Sequence, residues 1–153
     1  MNILSRKNNM NKYNDLEMSI LSCLLLEPKL MDELIIGEKY FVKHYKLFIF
    51  MKEFYKRFGN FDITLMCSIN KNRYEMMEYI IMLIDIEVTT KNFKLYQEQL
   101  IALYNEKKKE QWKIEQIYSL ANSLLVRNIN TNEFRSKVTE VYNNADEIFK
   151  ESD

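Results

Sequence analysis

The sequence predicts an all-α protein, a compact helical bundle followed by an antiparallel helical hairpin. Three observations carry this reading. Glycine occurs twice, at Gly37 and Gly59, and proline once, at Pro28, in 153 residues. So few breakers favour long helices over a turn-rich β architecture. Hydrophobic residues make up 47% and charged residues 29% of the chain, a globular composition rather than a disordered one. Apolar residues recur at helical rather than alternating spacing along most of the chain.

The elements follow in order. Residues 1–13 have basic and polar character without an apolar run, so they read as a flexible N-terminal arm and not as a signal peptide. Asp15 is the expected N-cap of a first helix that ends at Leu26, with Leu16, Ile20 and Leu24 on its apolar face. Glu27-Pro28 stops it, because the residue before proline avoids the α region. A short helix is expected near Leu30 to Ile36, with Gly37 as its C′ residue. A third helix covers His44 to Phe58, with Phe48, Met51, Tyr55 and Phe58 in register and Gly59 closing it. Asp62 caps a fourth helix, Ile63 to about Asn70, and a fifth runs from about Glu75 to Ile84.

A long helical stretch then opens near Lys91 and meets no Gly or Pro up to Arg127. Its apolar stripe fades between Glu106 and Gln111, where either a through-going solvated helix or a bend is allowed. The domain boundary is placed here, giving a globular domain over 14–106 and a hairpin over 107–153. Beyond it, Ile114, Ile117, Ala121 and Leu124 are spaced 3, 4, 3. Past the polar break Asn128-Ile129-Asn130, Phe134, Val138, Val141, Ala145 and Ile148 continue at heptad spacing. Asn130 with Glu133 three residues on resembles a capping box. The pattern predicts residues 112–127 packed antiparallel against 131–150.

Two helices alone bury one side of each stripe, so the hairpin needs a further surface. Self-association as a dimer or a multiple of dimers is the preferred reading, and packing on the globular domain is the alternative. Ile114, Ile117, Ala121, Leu124, Phe134, Val138, Val141, Ala145 and Ile148 are therefore the expected interface residues. Trp112 is either a packing anchor at the hairpin base or an exposed contact for a partner.

Composition excludes several function classes. Lys plus Arg and Asp plus Glu both number 22, so the excess of positive charge that drives phosphate binding is missing, and no tight DNA binding is expected. Lys107-Lys108-Lys109 is flanked by Glu106 and Glu110 and reads as a solvated helix surface. No window has the uninterrupted apolar length of a membrane span. Cys23 and Cys67 sit among apolar neighbours and read as buried free thiols. The expected location is cytoplasmic.

Catalytic chemistry has no footing in this pattern. A P-loop needs two closely spaced glycines followed by Lys and Ser or Thr, and Gly37 and Gly59 are 22 positions apart. A dinucleotide fingerprint fails for the same reason. His44 is the single histidine and reads as a polar residue at the start of the third helix. The pairs Asp32/Glu33, Glu75/Glu78 and Asp85/Glu87 fall on solvated helix faces. No catalytic residue, metal ligand or cofactor is expected.

Six short patterns in collinear order resemble the N-terminal domain of the DnaB-type replicative DNA helicases. They are Glu17-Met18-Ser19-Ile20-Leu21; the apolar run Leu24-Leu25-Leu26; Phe41-Val42-Lys43-His44-Tyr45-Lys46-Leu47-Phe48; Gly59-Asn60-Phe61-Asp62-Ile63-Thr64-Leu65; Tyr79-Ile80-Ile81-Met82-Leu83; and Asn92-Phe93-Lys94-Leu95-Tyr96. The resemblance covers about residues 13–150. The chain departs from the family in three places. His44 is one residue closer to Phe41 than usual, Ser22 stands where the family has Gly, and Lys107 to Lys109 replace an Arg.

The resemblance implies a helical domain whose hairpin pairs copies into dimers, with dimers forming a collar that contacts primase and other replisome proteins. The motor of the family follows a linker, and the sequence ends at Phe149 to Asp153, where that linker would begin. The expected function is a non-catalytic interaction module of DNA replication that binds a replicative helicase, its loader or primase as adaptor, loading factor or inhibitor. The alternatives are the N-terminal scaffold domain of a full-length hexameric helicase and, after it, a primase helicase-binding domain.

Overall fold

The structure is a computed structural model that describes the backbone of residues 3–150 and the side chains of residues 11–150. The remainder of the expected arm and the tail beyond Lys150 lie outside the described residues. The fold is all-α: α1 (Ile3–Leu26), α2 (Tyr45–Phe58), α3 (Ile63–Ile69), α4 (Arg73–Asp85), α5 (Phe93–Leu125) and α6 (Thr131–Ile148). No strand occurs among the described residues.

The first helix begins earlier than the sequence pattern places it. α1 starts at Ile3, so Asp15 lies inside it and is not an N-cap. The segment read as a flexible arm is helical from Ile3, and Tyr13 belongs to the core at 2% exposure. Tyr13 is held by a tertiary contact. The Tyr13 hydroxyl donates to the Leu103 carbonyl at 2.9 Å, a contact no local pattern encodes. The Asp15 carbonyl accepts instead from Ser19 Oγ, one turn along the same helix.

The next segment also departs from expectation. Instead of an α-helix near Leu30 to Ile36, a 3₁₀ helix spans Pro28–Glu33 and a second spans Glu38–Tyr40. Pro28 occupies the first turn, where its missing N–H costs nothing. Gly37 has φ −103 and ψ −172, so it is extended backbone and not a left-handed C′ residue.

Elsewhere the local signals hold. Gly59 closes α2 in the left-handed region at φ 71, and its N–H donates to the Tyr55 carbonyl at 2.7 Å. Asp62 caps α3 by accepting the Leu65 N–H at 3.0 Å. Asn72 caps α4 by accepting the Glu75 N–H at 3.0 Å. α5 remains helical through 106–111, which settles the choice left open there in favour of one helix.

The chain forms two compact units, one through Leu103 and one from Tyr104. The core of the first lies between the buried faces of α1 (Ile20, Leu21, Leu24), α2 (Phe48, Met51, Phe54) and α4 (Met76, Ile80, Leu83). Each such side chain contributes about 1.5–3 kcal/mol on burial. Phe41 stacks on Phe48 with centroids 4.1 Å apart. Cys23 and Cys67 are buried free thiols, and burial together with nearby Glu27 pushes the Cys23 thiol up to about 11.

Candidate functional site

Within the first unit, the polar residues of the sequence motifs turn out to be structural. Glu17 is fully buried, yet it makes no ion pair among the described residues. Its carboxylate accepts the backbone N–H of His44 at 2.8 Å and of Lys43 at 3.1 Å. It thereby ties the N-cap residue of α2, and the residue before it, to α1, where His44 makes no side-chain capping bond of its own. Burial raises the Glu17 pKa, against the opposing pull of those N–H donors.

His44 is the N-cap residue of α2 and is 9% exposed. Its Nε2 lies 2.8 Å from Asn14 Oδ1, so Nε2 carries the proton and donates. Nδ1 is buried and has no hydrogen-bond partner. Burial, and secondly Lys43, lower the His44 pKa. The ring packs edge-on against Tyr79 at 5.8 Å. A cavity of about 440 Å³ adjoins it, lined among others by Lys46, Phe50, Asn70 and Glu75.

Two further buried polar groups tie elements together. Ser22 donates to the Leu83 carbonyl at 2.8 Å and so fastens α1 to α4. Gln97 is fully buried, and its Oε1 accepts the Ile35 N–H at 2.7 Å, holding the extended segment after the first 3₁₀ helix. Glu17, Ser22 and Gln97 are consumed in holding the fold. None stands beside a second group that would make a nucleophile and base pair. No cluster of metal-binding side chains occurs among the described residues. The three acidic pairs named above are exposed.

The second unit carries the residues singled out as an interface. Its turn is a Schellman motif: the Asn128 N–H donates to the Ser123 carbonyl at 2.9 Å and the Arg127 N–H to the Leu124 carbonyl at 3.1 Å. Arg127 takes the left-handed position at φ 63. Asn130 Oδ1 then accepts the Glu133 N–H at 2.8 Å and starts α6. Three contacts set α6 antiparallel to this part of α5. Lys109 Nζ lies 2.5 Å from Asp146 Oδ1, Lys113 lies over the Tyr142 ring at 4.9 Å, and the Trp112 and Phe149 rings are 6.1 Å apart. Lys109 holds the Asp146 carboxyl below its ordinary range.

The heptad stripe divides within one protomer. Val141 and Ala145 are buried, at 8% and 0% exposure, so both are consumed inside the protomer. Ile117, Ala121, Leu124, Phe134 and Val138 are half-buried, as is Trp112. Ile114 and Ile148 are open, each at 58%. Tyr118 and Leu125 are more open still, and the sequence pattern did not single them out. Both continue the Ile114 line by steps of four and seven, a spacing that was available to find them. In the charge run, Lys108 lies over the Tyr104 ring at 5.4 Å and Lys109 is held by Asp146, so the lysines are partly engaged within the unit.

No helix is long and apolar enough to cross a membrane among the described residues. A protein-family comparison matches residues 9–102 to the DnaB-like helicase N terminal domain. The match covers the first unit and stops short of the hairpin. No curated protein and no solved structure matches the chain.

Proposed function

Since the chain belongs to the DnaB-like helicase N-terminal domain family, we propose that it is a non-catalytic docking module of DNA replication. Its partner is a replicative helicase, the helicase loader or primase, on which it acts as adaptor, loading factor or inhibitor. The observation that carries this reading is the unsatisfied apolar line Ile114, Tyr118 and Leu125 on α5, at 58%, 70% and 79% exposure. An apolar line of this length on one helix marks a protein contact. The buried polar groups of the first unit support the same reading, because Glu17, Ser22 and Gln97 are bound to backbone and His44 to Asn14.

Self-association through the hairpin supplies the second half of the proposal. The half-buried residues Ile117, Leu124, Phe134 and Val138 border the open line and widen it to a face suited to a second hairpin. Pull-down of purified helicase, loader and primase tests the partner. Capture of none of the three overturns the docking role. Light scattering tests the assembly, with a dimer or larger multiple expected.

A second reading follows from the same family membership. The module would be the N-terminal scaffold of a longer, ATP-driven helicase. It is favoured if the reading frame continues past Asp153 into a P-loop sequence.

A further inference from the structure

The first turn of α2 holds donors without acceptors. An α-helix leaves its first N–H groups without intrahelical partners. The His44 N–H is taken by Glu17. The next three, on Tyr45, Lys46 and Leu47, make no hydrogen bond among the described residues, and His44 offers them no side-chain cap. All three residues line the cavity of about 440 Å³ beside His44. The N-terminus of a helix as long as α2 carries partial positive charge and attracts anions.

The histidine supplies a second, independent observation. His44 lines the same cavity and is 9% exposed, and its Nδ1 is buried without a hydrogen-bond partner. Nε2 is bound to Asn14 of α1, which is not part of the cavity wall, so Nδ1 is the ring nitrogen left for an occupant. With the proton on Nε2, Nδ1 is an acceptor. A buried polar atom left without a partner is rare in a folded protein and calls for a reason.

The wall defines the chemistry of that occupant. Its charged residues are Lys43, Lys46 and Glu75, all exposed, and neither lysine is in an ion pair among the described residues. Two ammonium groups and a helix N-terminus outweigh one carboxylate, so the site favours an anion. Asn70 Oδ1 accepts the Asn72 N–H at 2.9 Å, which leaves the Asn70 amide nitrogen to donate into the cavity. The anion must also bring a proton for Nδ1. A phosphate monoester meets both needs near neutral pH, since its second pKa is about 6. A sulfate has no proton to give. Val42, Phe50 and Met76 add apolar wall, and a cavity of this size suits a small molecule.

We propose that the cavity at the start of α2 binds a small phosphate monoester that carries an apolar or aromatic substituent. The phosphate oxygens accept from the Tyr45, Lys46 and Leu47 N–H groups and pair with Lys43 and Lys46. One proton is held between the phosphate and Nδ1 of His44. The site lies within the first unit and does not rest on the docking reading.

That proton sets a pH dependence. Glu17 and Asn14 meet His44 from α1, Glu75 and Tyr79 from α4, and Lys43, Tyr45 and Lys46 from its own segment. Below about pH 6 the monoester carries the proton itself. Above it binding must take one up, so affinity falls by up to about tenfold per pH unit.

Titration of the isotope-labelled full chain with phenyl phosphate, inorganic phosphate and sulfate at equal ionic strength tests the proposal. His44 is the single histidine, so NMR reads its ring nitrogens without overlap. Millimolar phenyl phosphate is expected to shift Nδ1 and to bind severalfold tighter than inorganic phosphate and about tenfold tighter than sulfate. Lys43→Gln with Lys46→Gln is expected to weaken binding roughly tenfold with circular dichroism unchanged. Glu75→Gln, which removes the opposing charge, is expected to strengthen it severalfold. His44→Gln is expected to abolish the pH slope and the preference over sulfate. An unshifted Nδ1 overturns the proposal, as does undiminished affinity in the lysine variant. Sulfate binding as tightly as phenyl phosphate marks an adventitious ion only and overturns it too. Phenyl phosphate no tighter than inorganic phosphate overturns the choice of ester. If His44→Gln fails to fold, the lysine variant and the sulfate comparison still decide.

Discussion

Glu17 and His44 are bound carboxylate to backbone across a sequence separation of 27, the Oε1 of Glu17 accepting the His44 N–H at 2.8 Å. The bond anchors the start of α2 to α1.

Glu17→Ala removes the acceptor from two N–H groups at a helix start. Stability is expected to fall by roughly 1–3 kcal/mol, since the buried His44 N–H left unpaired costs about that much while the exposed Lys43 N–H can turn to water. Urea denaturation measures this, and a loss under about 0.5 kcal/mol would show that water replaces the carboxylate.

The same pair predicts a pH dependence of two signs. His44 has a folded pKa below its ordinary 6.5, so its contribution is full above 6.5 and is lost as pH falls through the lowered value. Protonation would add an N–H at Nδ1, where no partner exists. Glu17 is raised from 4.5, so its contribution is full below 4.5 and is lost as pH rises through the raised value. Urea midpoints against pH are expected to lose the acid-side fall in His44→Gln and the opposing slope in Glu17→Gln. Unchanged profiles in both variants would refute the assignment.

Arg127 holds the left-handed C′ position of α5 without being glycine. Left-handed backbone costs an ordinary residue about 1–2 kcal/mol. Arg127→Gly is expected to stabilise the protein by about 1 kcal/mol and to raise Tm by about 2–4 °C. A lowered Tm in calorimetry would show that the Arg127 side chain contributes more than its backbone costs.

In the hairpin, burial separates two kinds of residue. Val141→Asp places an unpaired charge in a position that is 8% exposed, with an expected cost of about 3–5 kcal/mol, and so disrupts the unit itself. Ile114→Glu with Leu125→Glu leaves circular dichroism unchanged and lowers the mass seen by light scattering. Retention of the wild-type mass by the double variant counts against the hairpin contact.

Local chemistry made part of this fold legible. Gly59 needs the left-handed region, and Asp62 and Asn130 each offer an oxygen to an N–H three residues on. These bonds close within one turn, so sequence order suffices to see them. Tyr13 and Leu103, or Gln97 and Ile35, are joined across separations of 90 and 62. No periodicity announces such pairs, so the sequence pattern alone places the start of α1 at Asp15.

The interface residues show the same division. Heptad spacing identified an apolar stripe in the hairpin, because side chains three and four apart share a helix face. It could not tell which members the protomer consumes. Val141 and Ala145 went inward, Ile114 stayed open, and Tyr118 and Leu125 joined it.

The sequence by itself determined an all-helical chain, the family motifs and their order, and the absence of a P-loop or dinucleotide fingerprint. These follow from residue type and spacing along one strand of chain. Only the tertiary structure decided that Glu17 anchors the start of another helix, that the α1 helix reaches back to Ile3, and which face of each amphipathic helix remains exposed. Burial is a property of what stands opposite a side chain, and what stands opposite comes from elsewhere in the chain.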